Sequence, residues 1–122
     1  MTKKKMKILS RADVLSADDR VIEPIEVPEW GGSVLVRSLG MDELYDVREQ
    51  AGLGEGGDVD AEQLNLLMFI QCTVDEAGEA LFAQDDYEAL RKKSAGAMLR
   101  VLSKINKLSG ISDDTSEEAR KN

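Results

Sequence analysis

Apolar and polar residues follow two different rhythms along the chain, and the change between them falls near residue 40. Between 20 and 39 the period is two. Val21, Ile25 and Val27 fall on one side of an extended segment with Glu26 on the other, the alternation of a half-buried strand. Pro24 interrupts this strand and places it at a sheet edge, because proline has no N–H to give to a ladder. Pro28-Glu29-Trp30-Gly31-Gly32 reads as a turn of about five residues, and 33–39, rich in Val34, Leu35 and Val36, as the returning strand. A symmetric register sets Ile25 opposite Leu35, and Glu23 opposite Arg37 as a cross-strand ion pair. A two-stranded ribbon alone is marginal in water. The hairpin at 20–39 must therefore pack on helices, extend a larger sheet or pair with another subunit.

Helical periodicity surrounds this hairpin. Before it, Ser10-Arg11-Ala12-Asp13 has the S-x-x-D form of a helix start, and Val14, Leu15 and Ala17 support a turn or two before Asp18-Asp19. After it, a helix at 41–51 sets Met41, Leu44, Tyr45, Val47 and Ala51 on one face and Asp42, Glu43, Asp46 and Glu49 on the other. Gly52, Gly54, Gly56 and Gly57 end it in a flexible loop. Asp60-x-x-Gln63 opens a helix at 60–73 that is apolar almost all round, through Leu64, Leu66, Leu67, Met68, Phe69, Ile70 and Cys72. So little polar face predicts the centre of the core, although the run 66–70 by itself also fits a strand. Asp75-Glu76-Ala77-Gly78 is a turn that returns Leu81 and Phe82 to the core.

Asp85-x-x-Glu88 caps a helix at 85–93 carrying Tyr87, Ala89 and Leu90, with Arg91, Lys92 and Lys93 at its negative end. Ser94 begins a further helix at 94–109, or merely bends the preceding one. Its apolar line is Met98, Leu99, Val101, Leu102, Ile105 and Leu108, and Gly110 is its C-terminal signal. Beyond it the chain holds almost no apolar residue besides Ala119. The expectation is one α+β domain over 1–110, an N-terminal β-hairpin packed on a bundle of about four helices, with a disordered acidic C-terminal tail at 111–122.

Composition narrows the chemistry. The chain has 122 residues, 42% of them hydrophobic but only 4% aromatic, so Leu, Val, Ile, Met and Ala fill a core with few large anchors. That thin core favours self-association. A net charge of −8 repels a phosphate backbone, so nucleic acid is not an expected partner. The basic run Lys3, Lys4, Lys5 and Lys7 is a solvated tail. The single cysteine, Cys72, allows no intrachain disulfide and suits a reducing cytoplasm. No secretory h-region follows the N-terminus, and the longest apolar run is far too short to span a bilayer, so no membrane is implied.

The chain has no histidine, which removes the commonest general base and metal ligand and every Ser–His or Cys–His arrangement. One cysteine cannot assemble a zinc site. The Gly52–Gly57 run follows a helix instead of a strand, lacks a following lysine and is flanked by acids, so it does not cradle phosphate. Asp58-Val59-Asp60-Ala61-Glu62 begins like a calcium loop, but Gln63 and Phe69 stand where glycine and glutamate are required. No catalytic, cofactor or metal residues are therefore expected.

Binding features remain. Trp30 either folds back over the hairpin–helix core or stands out as an interface anchor. Methionine adapts to varied partners, and the helix faces carry exposed-capable apolar groups. The candidate partner-binding residues are Trp30, Met41, Leu44, Tyr45, Met98 and Leu102.

The stretch Ile25-Glu26-Val27-Pro28-Glu29-Trp30-Gly31-Gly32-Ser33-Val34-Leu35-Val36-Arg37-Ser38-Leu39 resembles the opening hairpin of tail assembly chaperones from long-tailed bacteriophages. Val74-Asp75-Glu76-Ala77-Gly78-Glu79-Ala80-Leu81-Phe82 is similar to their mid-chain segment, as are 85–90, Lys93-Ser94-Ala95 and the closing helix to Leu108-Ser109-Gly110. The resemblance spans roughly residues 10–112, and the loop at 52–60 reads as a variable insertion. It implies a protein of the host cytoplasm that binds the hydrophobic tape measure protein, keeps it soluble, helps recruit tail tube subunits and is absent from the finished virion. It also implies homo-oligomers and, in many members, a longer form made by a programmed ribosomal frameshift. Arg120-Lys121-Asn122 is compatible with a slippery A-AAA-AAC heptamer. The matching motifs build the fold and assign no client-contacting residue. The competing expectations are a minor structural protein of the phage head–tail junction and an acidic host-directed adaptor.

Overall fold

The computed structural model describes residues 7–52 and 60–111. The predicted lysine tail at 3–5, the glycines at 54–57 with Asp58, and the tail at 112–122 lie outside the described residues. The fold is α+β, an N-terminal antiparallel hairpin and a set of helices. In chain order the elements are α1 (Arg11–Ser16), β1 (Ile22–Val27), β2 (Gly32–Arg37), α2 (Met41–Gln50), α3 (Ala61–Cys72), β3 (Thr73–Val74), α4 (Tyr87–Leu90) and α5 (Ala95–Leu108).

Side-chain caps fix the helix starts. Ser10 and Asp13 form the reciprocal capping box predicted for α1. Asp60 accepts from the Gln63 N–H at 3.1 Å and Ser94 from the Ala97 N–H at 3.2 Å. Asp60 thus serves as a helix cap. Ser94 begins a separate helix, α5. The predicted helix at 85–93 is shorter than expected. Its start is a 3-10 turn, Gln84–Asp86, in which Asp86 instead of Asp85 accepts from the Ala83 N–H. It ends at Leu90 because the N–H groups of Lys92 and Lys93 bond three residues back, a tightening that cannot continue an α-helix.

The hairpin register differs from the symmetric one by a single residue. Val27 pairs with Gly32 and Ile25 with Val34. Pro28–Trp30 wind into a 3-10 turn closed by Gly31 at φ 80°, so the loop takes four residues, one fewer than predicted. Directly paired residues share a face, so this shift turns Val34, Val36 and Ser38 inward in place of Leu35 and Arg37. The expected Glu23–Arg37 pair does not form. Glu23 reaches Lys104 of α5 at 2.8 Å, and Arg37 reaches Glu43 of α2 at 3.1 Å.

The sheet has a third strand that periodicity missed. Helix α3 stops at Cys72, and Thr73–Val74 pair antiparallel with Val36 and Leu35. Two residues are too few to show alternation. The turn Asp75–Gly78 closes as predicted, with Asp75 Oδ1 accepting from the N–H groups of Ala77 and Glu79. Phe82 then packs on the core while Leu81 stays exposed. The strand order is β1-β2-β3, which puts Pro24 on an edge as expected.

Helix α3 is the centre of the core. Leu66, Leu67, Met68, Phe69, Ile70 and Cys72 are all buried, and the helix packs against α2, α4 and α5. Helix α5 packs on α3, β1 and β2, and buries Ala97, Met98, Val101, Leu102 and Ile105. The core faces are narrower than the patterns suggested. On α2 only Val47 is buried and Leu44 half-buried, while Met41 and Tyr45 are exposed. On α5, Leu99 stands off the buried stripe. No helix among the described residues is long and apolar enough to cross a membrane.

Candidate binding groove

Helices α3, α4 and α5 meet around a shallow apolar groove of about 280 Å³, floored by Leu66, Leu90, Met98, Leu99 and Leu102. The groove arises because α5 carries more apolar residues than the sheet can cover. Met98, Val101, Leu102 and Ile105 fill the inward stripe, and Leu99 is left on the flank at 58% exposure. Along α5 the groove continues past Asn65, Ser103 and Asn106. In the other direction it adjoins a second cavity lined by Glu29, Trp30, Phe82, Leu90 and Lys93. Leu90 and Lys93 belong to both. These adjoining depressions form a shallow channel, apolar from the hairpin turn to Leu102 and polar toward the last turns of α5.

The six sequence-predicted residues divide between this channel and another surface. Trp30 lines the channel at the hairpin end and meets Phe69 edge-on, with ring centroids 6.1 Å apart. Met98 and Leu102 lie in its floor. Met41, Leu44 and Tyr45 sit apart on α2, where Met41 borders a polar pocket with Arg20, Ser38 and Ser109. Sequence reasoning missed Phe82, Leu90, Lys93 and Leu99 as lining residues. Leu99 carried a signal, since it lies about 100° around the helix from Met98 and off the core stripe. Leu90 carried none, because its exposure to the groove depends on where α4 ends.

Ion pairs frame the channel. Arg100 donates two hydrogen bonds to Glu29, at 2.7 and 2.8 Å, tying the hairpin turn to α5. Those bonds pull the Glu29 carboxyl from the usual 4.5 down to about 2. Because the folded value is depressed, the stabilisation from this pair is fully present above pH 4.5 and is lost as the pH falls toward 2. A carboxyl-carbon NMR titration is expected to show Glu29 with a midpoint near 2 that returns toward 4.5 in Arg100→Gln. An unchanged midpoint in that variant rules the pairing out as the cause. Across the groove, Arg91 donates to Glu62 at 2.8 Å and to Glu88 at 3.4 Å.

The groove lining is mainly apolar. Among the described residues no cluster of His, Cys, Asp or Glu is suited to hold a metal. Cys72 is fully buried in α3, and burial pushes its thiol up to about 12. Native protein is therefore expected to leave a thiol-specific chromogenic reagent unreacted at about pH 8, and to react through Cys72 only after denaturation. Rapid labelling of the native protein contradicts that burial.

Among solved structures, the chain is similar to the tail assembly chaperone of bacteriophage HK97, with a TM-score of 0.56 over 73% of this chain and 85% of that one, at 20% sequence identity. The chain has the tail assembly chaperone fold. No family model and no curated protein sequence matches it. In this chain the hairpin turn meets the helical core through aromatic contacts, Trp30 with Phe69 and Phe69 with Phe82.

Proposed function

We propose that this chain is a phage tail assembly chaperone. It binds the tape measure protein, keeps it soluble in the host cytoplasm, helps recruit tail tube subunits during tail morphogenesis and does not remain in the mature virion. The observation that carries this reading is the fold likeness to the HK97 tail assembly chaperone across most of both chains. The apolar channel supports it, because a groove floored by Leu and Met accepts the apolar face of a client helix without strict sequence demands. In this role the protein needs no catalytic residue or cofactor and touches neither nucleic acid nor membrane.

The role includes homo-oligomerisation. Helix α1 has no buried residue, and Leu9, Val14 and Leu15 are all more than half exposed around it, apolar surface that a second copy can cover. A frameshifted longer form belongs to the same reading, with the candidate codons at 120–122 outside the described residues.

Co-expression with the large coiled-coil protein encoded just downstream tests the reading. The tape measure protein is expected in the soluble fraction only when this chain is present. Recovery of this chain at stoichiometric levels from purified virions overturns the proposal in favour of a structural role. Leu99→Asp is the companion variant, since its exposed position separates loss of client binding from loss of folding.

A further inference from the structure

Resting on the groove as the client site, we infer that its preferred occupant is an amphipathic helix whose apolar stripe is flanked by carboxylates. The chain carries −8 overall, yet its 91–111 segment contains Arg91, Lys92, Lys93, Arg100, Lys104 and Lys107 and no Asp or Glu. Only Arg91 and Lys93 of these line the cavities, and Arg91 is held by Glu62 and Glu88, Arg100 by Glu29 and Lys104 by Glu23. The two carboxylates that reach the lining are already engaged, Glu29 by Arg100 and Glu62 by Arg91. Lys93 borders both cavities, and no carboxylate among the described residues lies within ion-pair distance of it. An incoming carboxylate finds an available ammonium there, while an incoming lysine must compete with arginines for Glu29 or Glu62.

The net charge of the molecule does not reverse this preference. At physiological ionic strength charges are screened beyond about 8 Å, so a helix in the groove senses the rim and not the distant acidic surface. The far end of the channel is neutral, with Asn65, Ser103 and Asn106. Charge selection therefore acts at Lys93, between the two cavities and away from the neutral end, and this asymmetry sets the direction in which the helix lies.

Two synthetic helical peptides sharing one leucine stripe, flanked by glutamates in one and lysines in the other, test the inference by fluorescence anisotropy with the full chain. The glutamate peptide is expected to bind at least about fivefold more tightly at about 50 mM salt, with the ratio shrinking at about 300 mM. Lys93→Glu, at an exposed position, is expected to erase the preference, and Leu99→Asp to weaken both peptides. Equal binding, tighter binding of the lysine peptide or binding of neither overturns the inference. Tape measure solubilisation without peptide discrimination sinks the charge rule alone. Discrimination without solubilisation sinks the chaperone role and leaves the groove chemistry standing.

Discussion

Phe69→Ala is expected to remove about 3–5 kcal/mol of folding stability, the largest effect of any single truncation in this chain. Phe69 is fully buried in the last turn of α3, with Trp30 edge-on at 6.1 Å and Phe82 tilted against it at 5.5 Å. In a chain with 4% aromatic residues, that cluster joins the hairpin turn to α3 and to the segment after β3. Domains of this size have about 5–15 kcal/mol in total, so the variant is left near the threshold of folding. Urea denaturation followed by fluorescence reads the loss directly, because Trp30 is the only tryptophan. The emission of the folded variant is expected to shift red as Trp30 loses its support. A loss below about 1.5 kcal/mol means that the cavity refills and that the aromatic cluster is not the keystone.

Glu43→Gln is expected to cost about 2–4 kcal/mol, well beyond the roughly 0–1 kcal/mol of a surface ion pair. One oxygen of Glu43 accepts from the Gly40 N–H at 2.9 Å and from Arg20, and the other accepts from Arg37 at 3.1 Å. Arg20 also donates twice to the Ser38 carbonyl. This one carboxylate therefore joins the segment before β1, the end of β2 and the start of α2. Its side chain is only 17% exposed. Arg37 is more dependent on it still, since its Nε is buried without an acceptor. Neutralising Glu43 leaves two arginines without a counter-charge. The comparison variant is Glu62→Gln, whose pair with Arg91 is half exposed and is expected to lose under about 1 kcal/mol. Equal losses in the two variants show that the clamp behaves as ordinary surface charge.

Most of the architecture was legible because its elements are long or capped. The S-x-x-D start of α1, the Ser94 and Asp60 caps, the Pro24 edge and the all-round apolar α3 follow from local chemistry. What was illegible depended on a backbone choice of one residue. The Pro28–Trp30 segment can be read as an open five-residue turn or as a 3-10 turn, and only the second pairs Ile25 with Val34. The two-residue β3 is defined by its partner and not by its own pattern. The site divides in the same way. Trp30, Met98 and Leu102 stand out in the sequence as large apolar residues, and they line the channel. Leu90 and Lys93 become neighbours of the hairpin turn only through tertiary packing. On α2 a helical pattern cannot separate Met41 and Tyr45, which remain exposed, from Val47, which is buried.

Pro24 has a further consequence at the sheet margin. The outer strand of the sheet lacks one of the N–H groups by which a stray extended segment could zip on, and the opposite strand is two residues long and bridged to Ala80. Both margins of the sheet are poor templates for cross-β growth. In the proposed chaperone role, that would leave client capture to helix side chains and keep the chain from being drawn into a client's aggregates.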